Sequence, residues 1–149
     1  PEDAVLFAQW RDGRVKQRLI TRSLALRRDH PALFSSGGYT ALRVRGRRAD
    51  HVLAFAREHA GETLIVAVPL HTLKLRDHTE NLAVPASIWS NTVIELPSRY
   101  ADLSWCDALG RGTLEAGTAL PVSELFRDWP LALLQAQLRS PKTDALRPC

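Results

Sequence analysis

The sequence contains few cysteines, no long apolar run and no leader-like start. Its two cysteines, Cys106 and Cys149, favour free thiols in a reducing cytoplasm over a disulfide framework. Its longest apolar run, Thr63 to Leu70, is far shorter than the roughly 20 residues that cross a bilayer. The first apolar residues follow Glu2 and Asp3, whereas a secretory signal begins with positive charge. We therefore expect a soluble, cytoplasmic chain without a membrane segment.

The sequence also lacks the short motifs that mark common active sites. It has no GxSxG nucleophile elbow, no Walker phosphate loop and no GxGxxG dinucleotide fingerprint. Its histidines have none of the spacings of a zinc site, such as HExxH. We therefore expect no catalytic residue, no metal site and no cofactor in this chain. The histidines are His30, His51, His59, His71 and His78.

Isolated reactive side chains are expected to have ordinary structural roles. Glycoside chemistry requires paired carboxylates, but the C-terminal acidic residues fall at loop-like or strand-edge positions, where we expect solvation. Cys106 is expected to be a small buried thiol in a strand. The stretch Ser35 to Gly38 predicts a turn, although its backbone amides could cradle an anion. The acidic residues are Asp102, Asp107, Glu115, Glu124 and Asp128.

Positive charge is concentrated in the first third of the 149 residues. Pro1 to Arg57 carries 12 Lys and Arg against 5 Asp and Glu, a balance of +7, whereas Glu58 to Cys149 carries 8 against 11, a balance of −3. A nucleic-acid-binding domain is therefore one alternative, but the net charge of +4 makes it the weakest, and we expect no nucleic-acid partner. We expect one arginine set to be a solvated strand edge rather than a phosphate grip: Arg43, Arg45, Arg47 and Arg48.

The pattern of apolar residues predicts one helix followed by strands. Apolar residues recur every three to four positions from Arg14 to Arg28, which predicts an amphipathic helix that ends before Pro31. Tyr39 to Arg45 alternates as a half-buried strand does. Asp50 to Pro69 predicts a hairpin with a turn over Glu58 to Glu62, and its second strand, apolar on both faces, should lie centrally and be covered twice.

The C-terminal half predicts further short strands. After a polar excursion from His71 to Ser87, a strand is expected over Ile88 to Leu96. Short strands are expected over Leu103 to Leu109 and Gly117 to Pro121, with Val122 to Phe126 continuing the second. Trp129 to Leu134 is expected to be the last strand, although residues 131–138 also fit a helix. The fold class predicted is mainly β, an antiparallel sandwich with an N-terminal helix.

All four tryptophans of the sequence, Trp10, Trp89, Trp105 and Trp129, could provide flat faces for stacking against sugar rings, and the last three are the candidate site residues. Trp89, Trp105 and Trp129 have flat faces of the kind that a carbohydrate-binding module uses, and such a module is a second alternative. The competing interpretation, which we favour, is that they fill the core, because aromatic rings usually enter apolar packing.

One long combination of motifs resembles a known enzyme family. The segments HPALFSSGGY (His30 to Tyr39), HVLAFAR (His51 to Arg57) and LIVAVP (Leu64 to Pro69) come in this order after an amphipathic helix. WCDALG (Trp105 to Gly110) and DWPLALL (Asp128 to Leu134) follow. Together they resemble the C-terminal end of maltooligosyltrehalose synthases, which belong to the α-amylase superfamily.

The resemblance implies a part of a larger enzyme. Residues 1–34 would be the closing helix and connector of a (β/α)8 barrel, 35–139 an amylase-type C-terminal antiparallel β-domain, and 140–149 a frayed tail. The parent would be an isomerase of trehalose biosynthesis that rearranges the reducing-end linkage of a maltooligosaccharide by intramolecular transglucosylation. None of the family's catalytic motifs is present here. The implied partner is the missing catalytic barrel, with maltooligosaccharide contact and self-association through exposed apolar surface as further expectations.

Overall fold

Strands dominate the chain. The computed structural model describes residues 2–76, 82–110, 112–115 and 117–138. Its helices are α1 (Glu2–Ala8), α2 (Arg14–Asp29), α3 (Pro31–Ser35), α4 (Ala86–Trp89) and α5 (Val122–Leu125). Its strands are β1 (Gly38–Ala41), β2 (Val44–Arg45), β3 (Val52–His59), β4 (Glu62–Pro69), β5 (Val93–Glu95), β6 (Leu103–Asp107), β7 (Gly112–Glu115), β8 (Ala119–Pro121) and β9 (Ala132–Leu138). Single 3-10 turns cover Trp10–Asp12, Ala49–His51, Thr72–Lys74 and Ser98–Tyr100.

The strands form two antiparallel sheets. The larger has the order β1-β3-β4-β9-β6-β7, and the smaller has the order β2-β5-β8. Every recorded pairing is antiparallel. The main core lies between the sheets and includes Ile65 of β4, Ile94 of β5 and Leu134 of β9. The predicted class, mainly antiparallel β with an N-terminal helix, is confirmed.

The β3–β4 hairpin is longer and tighter than the sequence predicts. Its pairs run from Val52 opposite Pro69 to His59 opposite Glu62, so only Ala60 and Gly61 form the turn. Both have positive φ, 48° and 85°, as a two-residue turn of type I′ requires. The five-residue turn expected over Glu58 to Glu62 is therefore wrong, because the two strands continue their pairing into it.

β4 has the central position that its sequence predicts. It lies between β3 and β9, and its neighbours Leu64 and Ile65, which point to opposite faces, are both fully buried. Ile65 faces the core between the sheets. Leu64 faces the other side, where it packs with Leu26 of α2 and Leu33 of α3. The expected double coverage is confirmed: the second sheet covers one face and helices cover the other.

The predicted helix over Arg14 to Arg28 is confirmed, with one additional residue. α2 ends at Asp29, ahead of Pro31, whose ring disfavours helical geometry in the residue before it. Its buried residues, Val15 and Leu26, lie on the side that faces the large sheet. Val15 packs with Trp129 and with Leu133 of β9. The helix therefore forms a third layer on the sheet face opposite the small sheet.

Several strand predictions are wrong. The expected strand over Ile88 to Leu96 divides into α4 and β5, because Ser90 has a positive φ of 50° and turns the chain between them. The extension over Val122 to Phe126 is instead α5, whose Val122, Leu125 and Phe126 follow helical spacing into the core. The helical alternative for residues 131–138 is also wrong, since β9 pairs with both β4 and β6.

The first predicted strand is divided between the two sheets. Within the stretch from Tyr39 to Arg45, β1 pairs with β3 in the large sheet and β2 pairs with β5 in the small one. Leu42 lies between them, is buried in the core, and its N–H donates to the carbonyl of Ala54. This crossing joins the two sheets at one corner. Within the described part of the chain, no helix has the length and apolar character needed to cross a membrane.

The turn after β2 provides a test of packing between loops. Gly46 has a φ of 110°, and a Cβ there would lie 2.5 Å from the carbonyl oxygen of Asn91 and 2.6 Å from Cα of Thr92. Gly61 also has positive φ, but a Cβ there would meet nothing within 4 Å. Both glycines allow a conformation that costs other residues about 1–2 kcal/mol, but only Gly46 is also confined by neighbouring backbone.

We expect Gly46→Ala to lower the free energy of unfolding by about 3 kcal/mol, because overpacking adds to the cost of positive φ. The matched control, Gly61→Ala, should cost only about 1 kcal/mol. Urea denaturation followed by circular dichroism measures both losses. Equal losses in the two variants would show that the Gly46 contact does not constrain the fold.

Candidate functional site

Most of the candidate carboxylates lie at the surface. Asp102, Glu115, Glu124 and Asp128 are exposed, as solvation predicts. Asp107 is different, because it is fully buried at the end of β6, and there the expectation of solvation is wrong. Its Oδ1 accepts the N–H of Leu109 at 2.9 Å, so this carboxylate stabilises the turn that follows the strand. Across the residues that the structure describes, no three His, Cys, Asp or Glu side chains are grouped to hold a metal ion.

The three candidate tryptophans are buried in the core. Trp89 and Trp105 are 0% exposed and Trp129 is 1% exposed. Each makes an edge contact with another ring: Trp89 with Phe126 at 5.2 Å, Trp105 with Tyr100 at 5.6 Å, and Trp129 with Phe7 at 4.9 Å between centroids. No face of these three rings is open to a sugar, which argues against the stacking hypothesis. Their burial agrees with the alternative of core packing.

Three of the four arginines, Arg43, Arg45 and Arg47, lie at an exposed edge of the small sheet. Arg48 is half-buried with its Nε out of contact with solvent, so the expectation of a solvated edge is wrong for Arg48. Arg43 and Arg45 both approach the Glu95 carboxylate, at 3.7 and 2.8 Å, and their side chains are well exposed. Arg47 and Arg48 instead donate through their backbone N–H groups, to Asn91 Oδ1 and Thr92 Oγ1. One carboxylate shared by two guanidinium groups on an edge strand fits the expected solvated edge.

A cation binds carbonyls of α3 and of the turn from Ser35 to Gly38, and this contact opposes use of the turn as an anion cradle. Arg57 of β3 donates through Nε to the carbonyl of Leu33, and through Nη2 to those of Phe34 and Gly37. These distances are 3.2, 3.2 and 2.9 Å. The guanidinium therefore satisfies carbonyls at the C-terminus of α3, where the helix dipole also favours a cation. Sequence reasoning missed this contact because it joins residues about 20 positions apart.

His30 connects the helical layer to the large sheet. Its Nδ1 lies 2.7 Å from Oε1 of Glu62 on β4, and its Nε2 lies 2.9 Å from Nε2 of Gln135 on β9. In a neutral imidazole, Nδ1–H would donate to the carboxylate and Nε2 would accept from the amide. The arrangement orients the α2–α3 junction. Neither of the two side chains that contact the His30 ring, Glu62 and Gln135, is a hydroxyl or thiol nucleophile.

Glu58, Arg99 and Tyr100 form one connected polar group. Arg99 binds Glu58 through Nε at 3.1 Å and Nη2 at 2.9 Å, and its Cζ lies 4.7 Å from the centre of the Tyr100 ring. The hydrogen bond from Arg99 lowers the pKa of Glu58 below its usual value of 4.5. Burial, followed by the neighbouring Glu58, raises the pKa of Tyr100 to about 12. The group ties the end of β3 to the turn at Ser98–Tyr100.

A small cavity lies beside Trp89. Its volume is about 150 Å³, and it is lined by Pro69, Thr72, Arg76, Leu82, Val84, Trp89, Phe126 and Pro130. Pockets that hold drug-sized ligands measure about 300–1,000 Å³. The cavity is therefore too small to hold an oligosaccharide.

Cys106 departs from the sequence expectation in its chemistry. It is buried, as expected, but it is disulfide-bonded and not a free thiol. The other cysteine of the sequence, Cys149, lies outside the described residues, as do His78 and the whole of residues 140–149 predicted as a frayed tail.

Comparison with known proteins gives a consistent result. No protein-family model matches the chain. Proteins named maltooligosyl trehalose synthase from two strains of Mycobacterium tuberculosis, CDC 1551 and H37Rv, are each 39% identical over 119 residues, which is 80% of this chain. The solved structure of a point mutant of maltooligosyltrehalose synthase from Arthrobacter ramosus is 31% identical and covers 83% of this chain, with a TM-score of 0.59.

The chain spans only 13% of the length of the curated relatives and 14% of the solved chain. The similarity falls in the C-terminal portion of these enzymes. The resemblance that the sequence motifs predict is therefore confirmed, and so is its restriction to one portion of the longer proteins.

Tryptophan fluorescence provides a test of the stacking hypothesis. We expect no saturable change in emission when soluble glucan or maltohexaose is titrated into the chain. Trp89, Trp105 and Trp129 are buried, and the fourth ring, Trp10, is half-buried with the Arg11 guanidinium 4.7 Å from its centroid. Urea-unfolded chain serves as the control for emission from exposed rings. A saturable change in the emission of the folded chain would support the alternative of a carbohydrate-binding module.

The pair of Arg99 and Glu58 predicts a pH-dependent contribution to stability. The folded-state pKa of Glu58 is lowered, so the contribution is present above about pH 4.5 and is lost as pH falls through the folded-state value. We expect Arg99→Gln to lower the free energy of unfolding by no more than about 1 kcal/mol near pH 7, because the pair is half exposed and screened by solvent.

The loss in Arg99→Gln should diminish below pH 4.5, as measured by urea denaturation between pH 3 and 7. Arg127→Gln is the matched control, because Arg127 is well exposed and lies 3.9 Å from its neighbour Asp128. It should change stability little at any pH. A loss in Arg99→Gln that stays constant with pH would contradict the proposed linkage.

Proposed function

We propose that this chain is a non-catalytic β-domain of a maltooligosyltrehalose synthase-like enzyme, and that it braces the catalytic part of its parent. One observation carries this proposal: the similarity covers 80% of this chain but only 13% of the relatives. The parent's reaction would convert a maltooligosaccharide into a trehalose-ended chain by intramolecular transglucosylation. The residues that perform it would then belong to the larger part of the parent.

The roles of the acidic side chains support a non-catalytic domain. A retaining glycosidase needs two carboxyl groups about 5–5.5 Å apart on either side of the scissile bond. Here Asp107 stabilises a buried turn, while Glu58, Glu62 and Glu95 are held by Arg99, His30 and two arginines. These carboxylates already have structural partners. None of them lines the small cavity beside Trp89.

The architecture suits a bracing role. Two sheets enclose the main core, and α2 and α3 add a third layer whose residues pack on β4 and β9. Such a double-sided sheet resists deformation because close-packed cores transmit strain. We propose that residues 1–34 are the closing helix and connector, and that residues 35–139 are the β-domain. α2 would then be the element that joins the domain to the rest of the parent.

An activity assay tests the proposal. The chain alone, incubated with maltohexaose, should form no trehalose-ended product, because it supplies no catalytic pair. Added to the separately produced remainder of the parent enzyme, it should raise the melting temperature and the activity of that remainder. Trp105→Ala is a suitable control, because the loss of a fully buried ring should unfold this domain and abolish both effects. Product formed by the chain alone would disprove the proposal.

A further inference from the structure

α2 has two apolar faces, although a helix at the surface of a domain needs only one. Val15, Leu19 and Leu26 belong to the stripe that packs on the large sheet. At about 100° per residue, Ile20 and Leu24 lie roughly a third of a turn or more around the helix from that stripe. They are 47% and 59% exposed. Two aliphatic side chains at positions i and i+4 on the outer side form a second stripe that this chain leaves in water.

Positive charge flanks the second stripe. Lys16 and Arg27 lie on the same side of the helix as Ile20, and both are exposed. Unlike Arg14, which is paired with Asp12, and Arg28, which is paired with Asp29, neither of them forms an ion pair with a described residue. The outer side of α2 therefore presents an apolar centre with a cationic rim. A complementary surface would have an apolar groove bordered by carboxylates.

We propose that this outer stripe, Ile20 and Leu24 with Lys16 and Arg27, is the surface by which the domain docks onto the remainder of its parent enzyme. The inference rests on the proposed function. The length of the relatives indicates the binding partner, because at least 86% of each relative lies outside the region that this chain matches. A domain that braces so large a partner must bury surface against it, and α2 carries an unpartnered apolar stripe with unpaired cations beside it.

Two other exposed apolar positions provide comparisons within the same chain. Leu53 is 43% exposed on β3, near the stacked rings of Tyr39 and Phe55. Leu73 is 85% exposed in the turn after β4 and is the most exposed large apolar residue of the described chain. Neither combines an exposed aliphatic neighbour on one helix face with a cationic rim, so neither is expected to dock. Substitution at these positions controls for a general effect of added negative charge.

The test measures binding of the chain to the separately produced remainder of the parent, by isothermal titration calorimetry. The double variant Ile20→Glu with Leu24→Glu should weaken binding at least about 10-fold, because two aliphatic side chains lose their apolar contact and glutamates meet the acidic border. Leu73→Glu and Leu53→Glu should bind as the unchanged chain does. Lys16→Gln with Arg27→Gln should weaken binding and reduce its dependence on salt. Because all these side chains are exposed, circular dichroism should show an unchanged fold.

The outcomes separate the two proposals. If the unchanged chain fails to bind the remainder, the bracing function is wrong. If it binds, but the double variant binds equally well or Leu53→Glu has the larger effect, the bracing function stands and the docking surface is wrong. Sedimentation of the chain alone tests a second copy as the occupant. A dimer that the double variant dissociates, together with unchanged binding to the remainder, would assign the stripe to self-association and overturn the docking inference.

Discussion

The fold depends on the burial of β4 from both sides. Ile65 on one face and Leu64 on the other are both excluded from water, so neither the small sheet nor the helical layer can be removed without exposing a central strand. Each fully buried aliphatic side chain of this kind contributes roughly 1.5–3 kcal/mol. The β3–β4 hairpin is local in sequence and closes through two residues, so it can form early and present both faces to the rest of the chain. The helices and the C-terminal strand then cover it.

Polar contacts fix the helical layer in one position on this sheet. Apolar packing alone is non-directional, and a helix on a flat sheet can slide. Arg57 binds three carbonyls around α3, and His30 bridges Glu62 and Gln135 at the α2–α3 junction. Both side chains reach between layers from positions that are distant in sequence. The orientation of α2, and with it the direction of its outer stripe, follows from these contacts.

The spacing of apolar residues along the sequence predicted some elements correctly. It failed where contacts between distant parts of the chain determine the secondary structure. The helical spacing of apolar residues in α2 and the apolar residues on both faces of β4 were sufficient to predict these two elements. In each case the positions of the apolar residues indicate which faces are buried. Val122 to Phe126 is apolar and follows a strand, but it bends into α5 because its core positions need helical spacing. The division of Tyr39 to Arg45 between two sheets depends on Leu42 entering the core, which a single alternating pattern does not reveal. Asp107 is buried because β6 pairs with β7 on one side and β9 on the other, which the local pattern does not reveal. Burial of the tryptophans, by contrast, is the interpretation that their apolar rings favoured.

The proposed bracing role would account for the second apolar face of α2. A domain that evolves only to pack against a larger partner needs a stable core and a contact surface, and its charged residues are free to serve structure. Asp107 stabilises a turn, and Glu58 and Glu95 form ion pairs with arginines. Such structural roles suit a domain of this kind. An exposed aliphatic pair, by contrast, gives this chain nothing in isolation, since water contact with apolar surface is unfavourable. Under the proposed function, burial of α2 on both sides in the parent enzyme would account for this exposed pair.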